Sequence, residues 1–138
     1  MAEEIVENTA QFKARISNLL REMASEQPSQ GIYFQIIAPY RTDEDAQQRR
    51  DAVHGQHVLR LQMLRAASGA LKCGGPYMSP ESVVSGGEKK AIGSAFVIKV
   101  QSYEAAKKLI EDDPYYVYDV WDKAKLMILP FVFFAGAD

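Results

Sequence analysis

The chain has 138 residues, 47% hydrophobic and 25% charged, with 16 basic against 18 acidic side chains and a formal net charge of −2. That length encloses one core without staples, and the near-even charge supplies no basic field for a phosphate backbone, so no nucleic-acid partner is expected. Cys73 is the single cysteine and cannot close an intramolecular disulfide; with no charged-then-apolar leader and no apolar run near the roughly 18 residues of a membrane helix, the expectation is a cytoplasmic protein without membrane contact.

Residues 1–30 stand apart as an expected helical extension ahead of one domain at 31–138. Ile5, Val6, Phe12, Ile16, Leu19, Leu20 and Met23 recur at helical steps among Glu, Lys and Arg, the pattern of an amphipathic helix with one apolar stripe. Both charge signs on the polar face favour a packing or dimer-contact role over a membrane-surface one. The polar run from Ser25 to Gly31, with Pro28 inside it, stops the helix.

From Gly31 the period changes. Residues 32–38 are β-branched and aromatic and are closed by Pro39, which reads as a buried strand. A long helix follows over 43–68, with Thr42 or Asp43 as its expected cap and Gly69 as its stop. Residues 70–74 form a second strand ended by Gly75-Pro76, 77–91 a loop, and 92–100 a third strand. Ser102 caps a second helix through Ile110, and after Asp112-Asp113-Pro114 an aromatic stretch leads to a fourth strand over roughly 124–133. The order βαββαβ, preceded by an extra amphipathic helix, is the α+β ferredoxin-like pattern, a four-stranded sheet with both helices on one face. Apolar residues on both sides of the strands leave a second face to cover, so a homodimer with two sheets face to face is expected.

The long helix carries the most chemistry. Arg50, His54, His57, Leu61, Leu64 and Ser68 are spaced three or four apart and share one helical face. Both histidines then start at the core edge and point inward, where a carboxylate can tune an imidazole for acid or base work. Against this stands the plain alternative that a histidine on an apolar face is a hydrogen-bonded core residue. The pair lacks an HExxH pattern and Cys73 is a lone thiol, so no metal is expected. Asp112-Asp113-Pro114 serves equally as a turn after a helix, and Tyr115, Tyr116, Tyr118 and Trp121 as core, interface or the wall of an apolar pocket.

The ordered set of motifs resembles the YCII-related domain family. It comprises His57 with the leucines after it, the Gly69-to-Pro76 strand, Gly93-Ser94 in the third strand, Asp112-Asp113-Pro114-Tyr115, and Pro130-Phe131 in the last strand. The resemblance spans residues 31–133 and implies a dimeric α/β barrel in a superfamily with muconolactone isomerase-like and chloromuconolactone dehalogenase-like members. It further implies an active site pairing His57 with Asp113. The chain departs from the family in carrying His54 where an arginine is common, with Arg50 one turn earlier, in its 77–91 loop, and in its N-terminal helix.

Two functions follow as expectations. One is a cofactor-independent enzyme of isomerase, lyase or cyclase type, moving a proton on a small lactone or polyketide-like ring. In it His57 and Asp113 would be catalytic, and Arg50, His54, Tyr33, Ser94, Phe96 and Trp121 would bind substrate. The other is a ligand-binding or dimeric interaction module without turnover. A haem protein with histidine as axial ligand is a third class.

Overall fold

The structure, a computed structural model, describes residues 6–25 and 31–136. Ile5 of the first apolar stripe and residues 26–30 of the polar stop lie outside the described residues. The elements are α1 (Thr9–Ser25), β1 (Ile32–Pro39), α2 (Ala46–Met63) continued by a π turn (Leu64–Ser68), β2 (Leu71–Met78), a 3-10 turn (Pro80–Val83), β3 (Ala91–Val100), α3 (Tyr103–Glu111), the short α4 (Pro114–Val117) and β4 (Met127–Pro130).

The four strands form one antiparallel sheet in the order β2-β3-β1-β4. This is the ferredoxin-like arrangement, in which each helix crossover spans the strand between its two ends. The sides of the sheet follow from the strand period of two. Phe34, Ile36 and Ala38 of β1 and Ser94, Phe96, Ile98 and Val100 of β3 are buried beneath the helices. The helices supply Val53 and Leu64 from the α2 segment and Ala106, Leu109 and Ile110 from α3.

The N-terminal extension packs within the chain. Phe12 and Ile16 are fully buried, and Leu19, Leu20 and Met23 are partly buried against the core. Burying one such side chain contributes about 1.5–3 kcal/mol, so α1 is an integral part of the helical layer. It starts later than the apolar stripe suggests. Val6 lies before the helix, and Asn8 caps it by accepting from the Gln11 backbone N–H at 2.9 Å.

Three further boundaries differ from the sequence expectation. Neither Thr42 nor Asp43 caps α2; the residue before the helix is Asp45, which makes no side-chain cap bond. Asp43 is instead bonded by Arg49 at 2.8 Å and by Arg41 at 3.1 Å. These guanidiniums, Arg49 foremost, hold its carboxyl well below the usual carboxylate range. The long helix does reach Gly69, whose φ of 66° closes it, but its last turn is π-helical. β2 runs through Gly75-Pro76 instead of stopping there, because it is an edge strand and the missing Pro76 N–H costs no ladder bond. β4 is shorter than 124–133 because residues 122–125 close a turn, with Lys125 N–H donating to the Asp122 carbonyl at 3.0 Å.

Gly74 makes room beneath the site. A Cβ there would lie 2.3 Å from Cδ1 of the buried Phe96. Gly74→Ala is expected to force Phe96 off its position and to lower stability by about 1–3 kcal/mol, read as a fall in the thermal or urea midpoint. An unchanged midpoint would show that Phe96 has slack there.

Candidate active site

The inward stripe of α2 is Val53, His57, Arg60 and Leu64, at steps of four, three and four. This corrects the stripe read from sequence: His57 and Leu64 stay on it, while His54 and Ser68 are exposed and Arg50 and Leu61 are half-buried. Arg60 occupies the inner place next to the one expected for Leu61. Its aliphatic stem lies among apolar groups, and both terminal nitrogens of its head meet buried acceptors: Nη1 donates to Asp113 Oδ2 at 3.2 Å and Nη2 to the Leu109 carbonyl at 2.6 Å. Arg60 Nε has no partner among the described residues.

Asp113 reaches the site from the opposite side, through the turn between α3 and α4. The turn reading and the functional reading describe the same carboxylate. Asp113 is the N-cap of α4, with Oδ1 accepting from the Tyr115 backbone N–H at 2.8 Å and Pro114 in the first helical position. The same Oδ1 stands 2.7 Å from His57 Nδ1. His57 is 5% exposed, and Asp113 and Arg60 are each 1% exposed. A carboxylate bonded at Nδ1 favours the tautomer with the proton on that nitrogen. Nε2 takes part in no hydrogen bond among the described residues and is not sealed from solvent.

Aromatic rings hold the imidazole. Tyr115 stacks on it at 3.7 Å and 7°, Trp121 meets it edge-on at 5.8 Å, and Phe96 lies 6.2 Å away. The Trp121 indole N–H donates to Ser94 Oγ at 3.2 Å, tying the loop before β4 to β3. The backbone ties the same loop to the end of β1: Arg41 N–H donates to the Val120 carbonyl at 2.9 Å and Asp122 N–H to the Pro39 carbonyl at 2.8 Å. Arg49 adds bonds of 3.0 and 3.2 Å to the carbonyl of Asp119, a residue held at a φ of 57°.

Around the Tyr115 hydroxyl lies a second polar group. His54 Nδ1 is 2.7 Å from the phenol oxygen, and the Arg50 guanidinium sits 4.6 Å over the ring of Tyr40, which meets Tyr115 edge-on at 6.0 Å. Burial pushes the phenol up to about 12, with Arg50 opposing the shift. Six of the eight side chains read from sequence as site residues, His57, Asp113, Ser94, Phe96, Trp121 and His54, thus connect through direct contacts or through Tyr115, and Arg50 lies one ring further out, over Tyr40. Tyr33 does not. Odd positions of β1 face the other side of the sheet, where its ring packs against Phe133 at 4.8 Å.

Arg60 and the stacking role of Tyr115 were not among the sequence expectations. The available signal was an arginine three residues after His57, on the same helical face, together with the paired acids 112 and 113.

Cavities of about 300, 400 and 310 Å³ lie elsewhere, and none is lined by His57 or Asp113; the third is lined by Asp112 and Pro114 on the outer side of the same turn. Among the described residues no three His, Cys, Asp or Glu side chains gather to hold a metal ion, and no helix is long and apolar enough to cross a membrane.

A family model, the YCII-related domain, matches residues 34–130. The chain belongs to that family. Within the YCII-related domain fall His57, Arg60, Asp113 and the whole sheet except the first two residues of β1, while α1 lies before it. No curated protein matches the chain. Among solved structures, the 5-chloro-2-hydroxyhydroquinone dehydrochlorinase of Burkholderia phenoliruptrix AC1100, in complex with 2,5-dihydroxybenzoquinone, has the same fold as this YCII-related chain. The TM-score is 0.59 at 18% identity, over 73% of this chain and 94% of that one.

Tyr115 generates an alkaline prediction. The folded protein keeps this phenol proton to about pH 12, whereas the ordinary value is 10.0, so its contribution to stability is intact below pH 10.0 and is lost as pH rises toward 12. In Tyr115→Phe the fall in urea midpoint over that interval is expected to flatten. An identical alkaline fall in the variant would refute the assignment.

Proposed function

We propose that the protein is a cofactor-independent enzyme that moves a proton on a small enolisable ring compound, with His57 as the base and Asp113 as the group that orients it. One observation carries the reading: the 2.7 Å bond from His57 Nδ1 to a buried carboxylate, which leaves Nε2 as the free nitrogen of a ring held by aromatic neighbours. In the proposed step Nε2 takes a proton from the carbon next to a carbonyl, and the Asp113 carboxylate stabilises the imidazolium that results. Return of that proton at another carbon completes an isomerisation. Loss of a leaving group from the enolate completes an elimination, with charge leaving on the expelled anion. Ser94, Arg50 and His54 would meet the oxygens of the ring, and Phe96 and Trp121 its apolar face. The dehydrochlorinase of the same fold, bound to a hydroxylated quinone, supports ring compounds with enolisable oxygens as the first class to try.

The competing reading, a binding module without turnover, draws on the packing. Tyr115 covers one face of the imidazole at 3.7 Å, and the cavities described above lie away from it. Proton exchange separates the two. With hydroxyquinones and small lactones in deuterated water, the wild type is expected to accelerate deuterium incorporation, His57→Asn to lose that acceleration, and Asp113→Asn to retain about 1% or less of it. No acceleration by the wild type would favour the module, and full activity in His57→Asn would remove His57 as the base.

The working unit in this proposal is a homodimer. The sheet face opposite the helices presents Ile37, Val97, Met127 and Leu129, the last two 45% and 46% exposed. A second copy of that face would bury it. Sedimentation is expected to give twice the chain mass for the wild type and a shift toward the single chain for Val97→Glu. A monomeric wild type at micromolar concentration would overturn the dimer.

A further inference from the structure

We infer that Arg60 is a positioning residue whose charge keeps the His57 imidazole neutral, so that Nε2 is available to take a proton; the inference rests on the proposed pairing of His57 with Asp113. Both oxygens of the Asp113 carboxylate are engaged inside the protein: Oδ1 by His57 Nδ1 and the Tyr115 N–H, Oδ2 by Arg60 Nη1. A carboxylate this deeply buried demands a positive charge nearby. Two groups touch it that can carry one, Arg60 and His57. With the guanidinium present, carboxylate and arginine balance, and the imidazole contributes only its Nδ1 proton. Without the guanidinium, the nearest way to balance the carboxylate is a proton on Nε2. That proton abolishes the lone pair a base needs.

The surroundings leave this task to Arg60. From α4, the Tyr115 phenol stacks on the imidazole as a neutral group. From β3 and the loop before β4 come Phe96 and Trp121, which do not titrate. On α2, His54 Nδ1 meets the Tyr115 phenol oxygen and Arg50 lies over the Tyr40 ring, neither in contact with the Asp113 carboxylate. From the end of α3, Asp112 Oδ2 lies 3.6 Å from Arg60 Nη2, and Asp112 is itself bound by Arg15 of α1 at 2.6 Å. Arg60 is thus held between the Leu109 carbonyl, Asp112 and Asp113, and its position is set by three acceptors from one turn. Two of these contacts place the guanidinium, and the third joins it to the Asp113 carboxylate that faces the imidazole.

A plain structural role for Arg60 would alter stability and leave the imidazole unchanged, and the two histidines of the chain make the distinction measurable. Nitrogen-15 NMR of histidine-labelled protein, with His54→Gln and His57→Gln to assign the rings, reports tautomer and charge without any turnover. At neutral pH the wild type and Arg60→Lys are expected to show His57 as the neutral Nδ1-protonated ring, and Arg60→Met to show it as imidazolium. A folded Arg60→Met with a neutral His57, or an imidazolium already present in the wild type, would overturn the inference. If Arg60→Met does not fold, Arg60→Met/Asp113→Asn decides. Recovery of a folded protein with neutral His57 supports charge balance, because the charge that needed a partner is gone, and failure to recover overturns it. If deuterium exchange fails in the wild type while these spectra appear as expected, the proposed reaction is wrong and the role of Arg60 stands.

Discussion

The buried carboxylate of Asp113 is the constraint around which the helical side of the molecule is arranged. An ionised group 1% exposed is tolerated only if every lone pair is met and its charge is compensated. Three groups on two elements answer that demand at once: the Tyr115 N–H of α4, and His57 and Arg60 on the inner face of α2. Removing one partner of such a buried group costs about 3–5 kcal/mol, more than any surface ion pair in the chain contributes. The rotational setting of α2 therefore follows the carboxylate. An arginine takes a place on the inner stripe that an apolar side chain would otherwise fill, and His54 turns outward to the Tyr115 phenol.

The same arrangement gives the extension a reason to be there. α1 buries Phe12 and Ile16 against the helical layer, Arg15 binds Asp112 next to the buried acid, and Gln56, on the turn before His57, donates to the Glu7 carbonyl. The helix lies outside the span matched to the YCII-related family. It adds an outer layer of packing and charge to a pair that lies wholly inside that span. Among the described residues no helix covers the opposite face of the sheet, where Phe133 packs on Tyr33. Its apolar residues alternate in register with the buried ones, so each strand carries one helix-covered side and one open side.

Strands and helices were legible in the sequence because their signals are local. The change from helical to strand period at Gly31, the Ser102 cap, realised as a 3.1 Å bond from the Ala105 N–H, and Gly69 with its left-handed φ are properties of a few neighbouring residues. The order of those elements determined the ferredoxin-like topology, since few connections of βαββαβ avoid crossing. The family resemblance brought His57 and Asp113 together across 56 residues, something that no local pattern does. Where the edges of elements missed, the deciding factor was a contact or a neighbour that period and caps do not encode: Arg49 drew Asp43 away from capping α2, and the edge position of β2 made Pro76 harmless.

The sequence by itself determined the fold class and the N-terminal helix, through periodicity, caps and an ordered set of motifs, and the resemblance carried by those motifs singled out His57 and Asp113, which the fold brings to 2.7 Å. Only the tertiary structure decided which side chains join them. Tyr33 went to the far face through strand parity, and Tyr115 became the ring stacked on His57. Arg60 was recruited inward because a buried negative charge needs a partner, and that need exists only once the chain has folded around Asp113.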